Sequence, residues 1–79
     1  MLFQISWFRK ENDQIKLLTV GRLNYAGDER YTVEFQYPGN WRLQIKHVNK
    51  KDEGVYECQI STHPPKVIRM FLYINGKYR

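Results

Sequence analysis

Apolar residues in this chain recur at every second position, in short runs about ten residues apart, which is the pattern of half-buried strands. Ile5-Ser6-Trp7-Phe8-Arg9 puts Ile5 and Trp7 on one face and Ser6 and Phe8 on the other. Glu11 to Gln14 is polar and turn-prone, and Ile15 to Val20 is a second β-rich run closed by Gly21. Asn24 to Glu29 reads as a loop or short edge strand. Tyr31 to Gln36 alternates with Tyr31, Val33 and Phe35 inward, and Trp41 to Lys46 alternates with Trp41, Leu43 and Ile45 inward. Between them, Tyr37-Pro38-Gly39-Asn40 is a turn signal. Asn49 to Gly54 is a polar corner with room for one short helical turn. Val55 to Ile60 places Tyr56, Cys58 and Ile60 inward. His63-Pro64-Pro65 breaks the chain, and Val67 to Ile74 is a last strand ended by Asn75-Gly76. No convincing helix competes, so the expected fold is an antiparallel all-β sandwich or barrel.

At 79 residues the chain is one domain at most, and a single core of that size is marginal. Hydrophobic residues at 42% and charged residues at 27% argue against disorder. One cysteine, Cys58, permits no disulfide within the chain. With only His47 and His63 beside it, a Cys/His zinc cage of about four ligands is not expected. No apolar run approaches the roughly 18 residues of a membrane span. Met1 to Ile5 is too short, and lacks the basic residues, to be a signal peptide.

Thirteen Lys and Arg against eight Asp and Glu give a net charge of +5. That charge admits an acidic partner, an anionic membrane surface or nucleic acid. The bases are scattered, and the longest runs are the pairs Arg9-Lys10 and Lys50-Lys51. A solvated surface is the expected reading, and a basic β-domain binding single-stranded nucleic acid is the disfavoured alternative. Ser6, Ser61, His47, His63, Asp13, Asp28 and Asp52 form no nucleophile elbow or glycine-rich phosphate loop. Cys58 is inward and lacks thiolate-favouring neighbours. No catalytic residue, metal site, cofactor or small-molecule substrate is therefore expected.

Four features occur in order. Trp7 lies on the first strand, and Arg30 opens the third alternating run. Asp52-x-Gly54-x-Tyr56-x-Cys58 follows the polar corner, and a strand follows a Pro-containing loop. Together they resemble an immunoglobulin variable-type (V-set) domain from its strand C to its strand G. The resemblance implies that Tyr56 is a tyrosine corner, that Gly54 turns the corner backbone, that Arg30 pairs with Asp52, and that Trp7 packs on Cys58 between the sheets. The stretches ISWFRK (5–10), LLTVG (17–21), DERY (28–31), NWRLQIK (40–46) and DEGVYECQIST (52–62), with Pro64-Pro65, are similar to the first immunoglobulin domain of the insect neuronal defective-proboscis-extension-response (Dpr) receptors. That similarity covers nearly the whole chain.

There are departures. In the family the first cysteine of the inter-sheet disulfide lies on strand B, about a dozen residues before the Trp. Here only six residues precede Trp7, and none is Cys. The expectation is a single partial domain over residues 1–79, an incomplete V-set sandwich lacking strands A and B. It would be a truncated product with a bare edge on the strand at 41–46 and a lone thiol. An unstable fragment without function of its own is the alternative. Family members also often carry a glycosylation sequon at the Asn-Trp-Thr position, where this chain has Asn40-Trp41-Arg42.

Outward Phe8 and Leu17 form the kind of apolar patch that marks a protein interface. On the alternation, Ser6, Phe8, Leu17, Thr19, Glu57, Gln59 and Ser61 face out, with a one-residue slip able to exchange Leu17 and Thr19 for Leu18 and Val20. The resemblance implies that this C–C′–F–G face docks on a partner immunoglobulin domain, of the Dpr-interacting kind or a second copy. The contacts it implies are Phe8, Leu17, Val20, Tyr25, Gln59, Ser61 and His63. It also implies that the parent protein acts in cell–cell recognition outside the cell, at the plasma membrane of neurons and at synapses. Membrane attachment would come only through segments beyond these residues.

Overall fold

A computed structural model of the chain describes residues 4–36 and 39–74. Seven strands and one 3₁₀ turn follow in order: β1 (Ile5–Glu11), β2 (Gln14–Val20), β3 (Leu23–Asn24), β4 (Tyr31–Gln36), β5 (Asn40–Ile45), the turn Lys50–Asp52, β6 (Gly54–Ile60) and β7 (Lys66–Leu72). The architecture is an all-β immunoglobulin-type sandwich. A five-stranded antiparallel sheet runs β3-β2-β1-β6-β7, and a two-stranded sheet pairs β4 with β5. Of the expected turns, Tyr37 and Pro38 of the β4–β5 connection and Asn75-Gly76 lie outside the described residues.

The core forms where the alternating runs meet. Ile5, Trp7, Leu18, Tyr31, Tyr56 and Cys58 are buried together, with Trp41, Leu43, Ile45, Ile60 and Leu72 packed against them. Trp7 stands opposite Cys58 on β6, and Ile68 of β7 continues the row. The inward set of β4 keeps its face but not its depth. Tyr31 is 5% exposed, whereas Phe35, expected inward, is 38% exposed at the far end of the strand. There it packs on Trp41 at 4.8 Å, and the Arg22 guanidinium lies 5.7 Å from its ring centre.

One expectation of the alternation is overturned on β2. Ser6 pairs with Val20 and Trp7 with Thr19, but Phe8 then pairs with Leu17, so Leu18 is the extra residue of a β-bulge. Thr19 therefore shares the inner face with Trp7 and is fully buried, not outward. Leu18 is buried with it, while Leu17 and Val20 both fall on the outer face. Neither parity of a regular strand gives this arrangement, because the bulge changes phase midway along β2.

Candidate functional site

Antiparallel register places the outer face of the five-stranded sheet in three rows. Leu23, Val20, Ser6, Gln59 and Val67 form one; Leu17, Phe8, Glu57 and Arg69 the next; Ile15, Lys10, Val55 and Phe71 the third. Strand pairing thus brings together four of the expected contact residues, Phe8, Leu17, Val20 and Gln59, all half-buried. Ser61 prolongs the face at the end of β6. Its N–H donates to the Gln4 carbonyl at 3.0 Å, and its hydroxyl accepts from the Gln4 N–H at 2.8 Å. Gln4, Ser6, Gln59, Ile60, Ser61 and Pro65 line a hollow of about 230 Å³ there. Tyr25, 66% exposed, follows directly on β3. His63 is exposed in the β6–β7 loop and is not drawn into the ladder.

Several members of this face were not singled out from the sequence. Ile15, Leu23, Val67 and Phe71 are 52%, 65%, 48% and 54% exposed, so apolar surface extends along β2, onto β3 and onto β7. At the centre lies a charge. Glu57 points outward as its parity requires, yet its side chain is only 3% exposed between Phe8 and Arg69. Arg69 Nε donates to Glu57 Oε2 at 2.6 Å, and Gln59 Nε2 donates to Oε1 at 3.3 Å. The Arg69 hydrogen bond holds the Glu57 carboxyl below its usual range, against the opposing effect of burial. Arg69 itself is 68% exposed, so the pair shows its positive end to solvent.

A second cluster anchors the sheet from below. Arg30 donates to both oxygens of Asp52, Nη1 to Oδ2 at 2.8 Å and Nη2 to Oδ1 at 2.9 Å, a two-pronged ion pair. Asp28, which the alternation left in a loop, joins it at 3.2 Å. These hydrogen bonds lower the carboxyl pKa of Asp52, and those of Arg30 lower that of Asp28; the Arg30 guanidinium is correspondingly raised. Asp52 also accepts the Asn49 N–H at 2.9 Å while Asn49 Oδ1 accepts the Lys51 N–H, so the 3₁₀ turn is capped reciprocally. The Tyr56 hydroxyl donates to the Asp52 carbonyl at 2.6 Å. Burial pushes the Tyr56 phenol up to about 12, so it stays a donor. Gly54 holds φ at +153°, open to glycine, and a Cβ there would meet Arg9 Nη2 at 3.7 Å. Arg9 was not foreseen. It donates to the carbonyls of Lys51 and Glu53 and lies 5.5 Å from the Tyr56 ring centre. Cys58 is a buried free thiol whose pKa is raised by desolvation. Among the described residues no group of three or more His, Cys, Asp or Glu could hold a metal ion. No helix among them is long and apolar enough to cross a membrane.

The family model of the immunoglobulin V-set domain matches residues 1–72. No curated protein matches the chain. Among solved structures it is similar to a chain of the complex of Dpr11 IG1 bound to DIP-gamma IG+IG2, with 38% identity and a TM-score of 0.80, over 89% of this chain and 72% of that one. It is also similar to a chain of Dpr2 Ig1-Ig2 in complex with DIP-Theta Ig1-Ig3, with 34% identity and a TM-score of 0.82; there it covers 92% of itself and 33% of the other. A chain of the ZIG-8–RIG-5 IG1-IG1 heterodimer is 25% identical, with a TM-score of 0.86, over 96% and 65% of the two chains. The chain therefore spans about a third of the Dpr2 complex chain it matches.

Proposed function

Since the chain belongs to the immunoglobulin V-set domain family, we propose that it is a recognition module that binds another immunoglobulin domain through the outer face of its five-stranded sheet. The observation that carries this reading is the β2 bulge, which turns both Leu17 and Val20 outward beside Phe8. A regular strand would bury one of them. The result is an apolar surface continued by Ile15, Leu23 and Tyr25, with a hollow lined by Gln4, Ser6, Gln59 and Ser61 at one end. An apolar patch of this kind, flanking the paired Glu57 and Arg69 and edged by polar residues, is the sort of surface a partner protein covers. The solved neighbours support it, because their structures are complexes of one immunoglobulin domain with another.

On this reading the activity is adhesion without catalysis, and the contacts are Phe8, Leu17, Val20, Tyr25, Gln59 and Ser61, with His63 at the margin. The partner is a V-set domain of the DIP kind, and the setting is a cell surface outside the cell, at neuronal contacts. The test is amide chemical-shift mapping with a DIP first immunoglobulin domain as the titrant. Shifts concentrated on β1, β2 and β6 are expected. Shifts confined to β4 and β5 would reject the face.

A further inference from the structure

Among the described residues, the charged side chains in the three outer rows of the five-stranded sheet are Lys10, Glu57 and Arg69. Glu57 stands between Phe8 and Arg69 in the middle row, and its side chain is only 3% exposed. Lys10 is exposed on β1, diagonal to Glu57 across the β1–β6 pair. Two cations therefore share one carboxylate, and the face is left with one positive charge in excess. An arginine offers five N–H donors in a planar fork. Nε of Arg69 is occupied by Glu57 Oε2 at 2.6 Å, whereas Nη1 and Nη2 make no hydrogen bond or ion pair among the described residues. Arg69 is 68% exposed against the 3% of Glu57, so the unoccupied end of the guanidinium is the end that reaches outward.

We infer that Arg69 determines specificity on this face: its two Nη groups take an Asp or Glu carboxylate from the partner immunoglobulin domain, and Glu57 is the positioning residue that aims them. This rests on the outer face being the interface and adds the chemistry of the partner. Arg69 lies two strands from Phe8, about 10 Å across the sheet, so a domain that covers Phe8 and Leu17 also takes water from Arg69. Four N–H donors and a charge would then lose their hydration, which is costly unless the partner replaces it. A backbone carbonyl satisfies only part of the fork. A carboxylate accepts from both Nη groups and cancels the excess positive charge. A partner Lys or Arg at that position would meet both Arg69 and Lys10, so basic partners are rejected by repulsion. The Glu57 contact holds the guanidinium in place beforehand, which reduces the ordering cost on binding.

The test is surface plasmon resonance between variants of the chain and the first immunoglobulin domains of DIP-gamma and DIP-Theta, with folding checked by circular dichroism. Arg69→Lys keeps the charge and loses the fork, and is expected to weaken binding about tenfold; Arg69→Met loses both, and about a hundredfold loss is expected. Each Asp and Glu on the corresponding sheet of the DIP domain is then replaced by Lys, one at a time. One of these DIP variants is expected to lose the unaltered chain and to bind Arg69→Glu at least about tenfold better than it binds the unaltered chain. A role confined to pairing β6 with β7 would lower the thermal midpoint of Arg69→Met without producing that reversal, and would overturn the inference. Arg69→Met within about twofold of the unaltered chain, while Phe8→Asp abolishes binding, would reject Arg69 and keep the face. No binding of the unaltered chain to either DIP domain would remove the face and the inference together.

Discussion

Phe8 stands opposite Leu17 on the outer face of the five-stranded sheet, one step out of phase with Trp7 opposite Thr19. The residue skipped between the two pairs is Leu18, which enters the core and is fully buried. One extra residue thus serves two purposes. It fills the space between the sheets, and it keeps Leu17 and Val20 on the outer face, where the proposed partner would dock.

Under the proposed function, this division separates stability from binding along four consecutive residues. Leu18→Ala is expected to cost about 3 kcal/mol, the usual range for emptying a buried leucine site. Leu17→Ala is expected to cost about 1 kcal/mol or less, because its site is half-open. Urea denaturation of the two variants measures both. Similar losses would place the bulge elsewhere.

Thr19 offers the opposite sign. Its hydroxyl is buried, with no hydrogen-bond partner among the described residues. Thr19→Val keeps the shape and removes an unsatisfied polar group. It is expected to raise stability by up to about 1 kcal/mol, read as a higher thermal midpoint.

Acid should loosen the base of the sandwich and the ion pair on its outer face. Asp52, Asp28 and Glu57 all have folded pKa values below the ordinary range. A carboxyl depressed in this way gives stability that is full above about pH 4 and is lost as the pH falls through the folded value. The thermal midpoint is therefore expected to hold from neutral pH down to about pH 5 and then fall. Asp52→Asn is expected to lower it at pH 7, by about 2 kcal/mol in stability, and to flatten the acid limb. A midpoint independent of pH down to 3 would contradict the ion-pair account.

Tyr56→Phe removes the donor to the Asp52 carbonyl while leaving the ring in place. The expected cost is about 1–2 kcal/mol, measured by the same denaturation, with the fold intact by circular dichroism.

Much of this arrangement is legible in the sequence because strands write their two faces at alternate positions. The alternation at 31–36, 41–46 and 55–60 matches β4, β5 and β6 to within a residue or so, and the corner holds a single short turn. The motif from Asp52 to Cys58 also points to the residues that meet at the base. The bulge is not legible, since Leu17-Leu18-Thr19-Val20 has no alternation to be interrupted. Only the partner strand reveals which residue is left out. Likewise the burial of outward Glu57 comes from Phe8 and Arg69 on flanking strands, and the recruitment of Asp28 from loop geometry. Such contacts join residues far apart or of unfixed geometry, which a local pattern does not record.

The central claim is that the outer face carries recognition. The most direct measurement is the affinity of Phe8→Asp and Leu17→Asp variants for a DIP first immunoglobulin domain, by surface plasmon resonance, with folding checked by circular dichroism. Each charge would be buried against an apolar partner surface, so at least a roughly hundredfold loss is expected with the fold retained. Unchanged affinity in both folded variants would contradict the account.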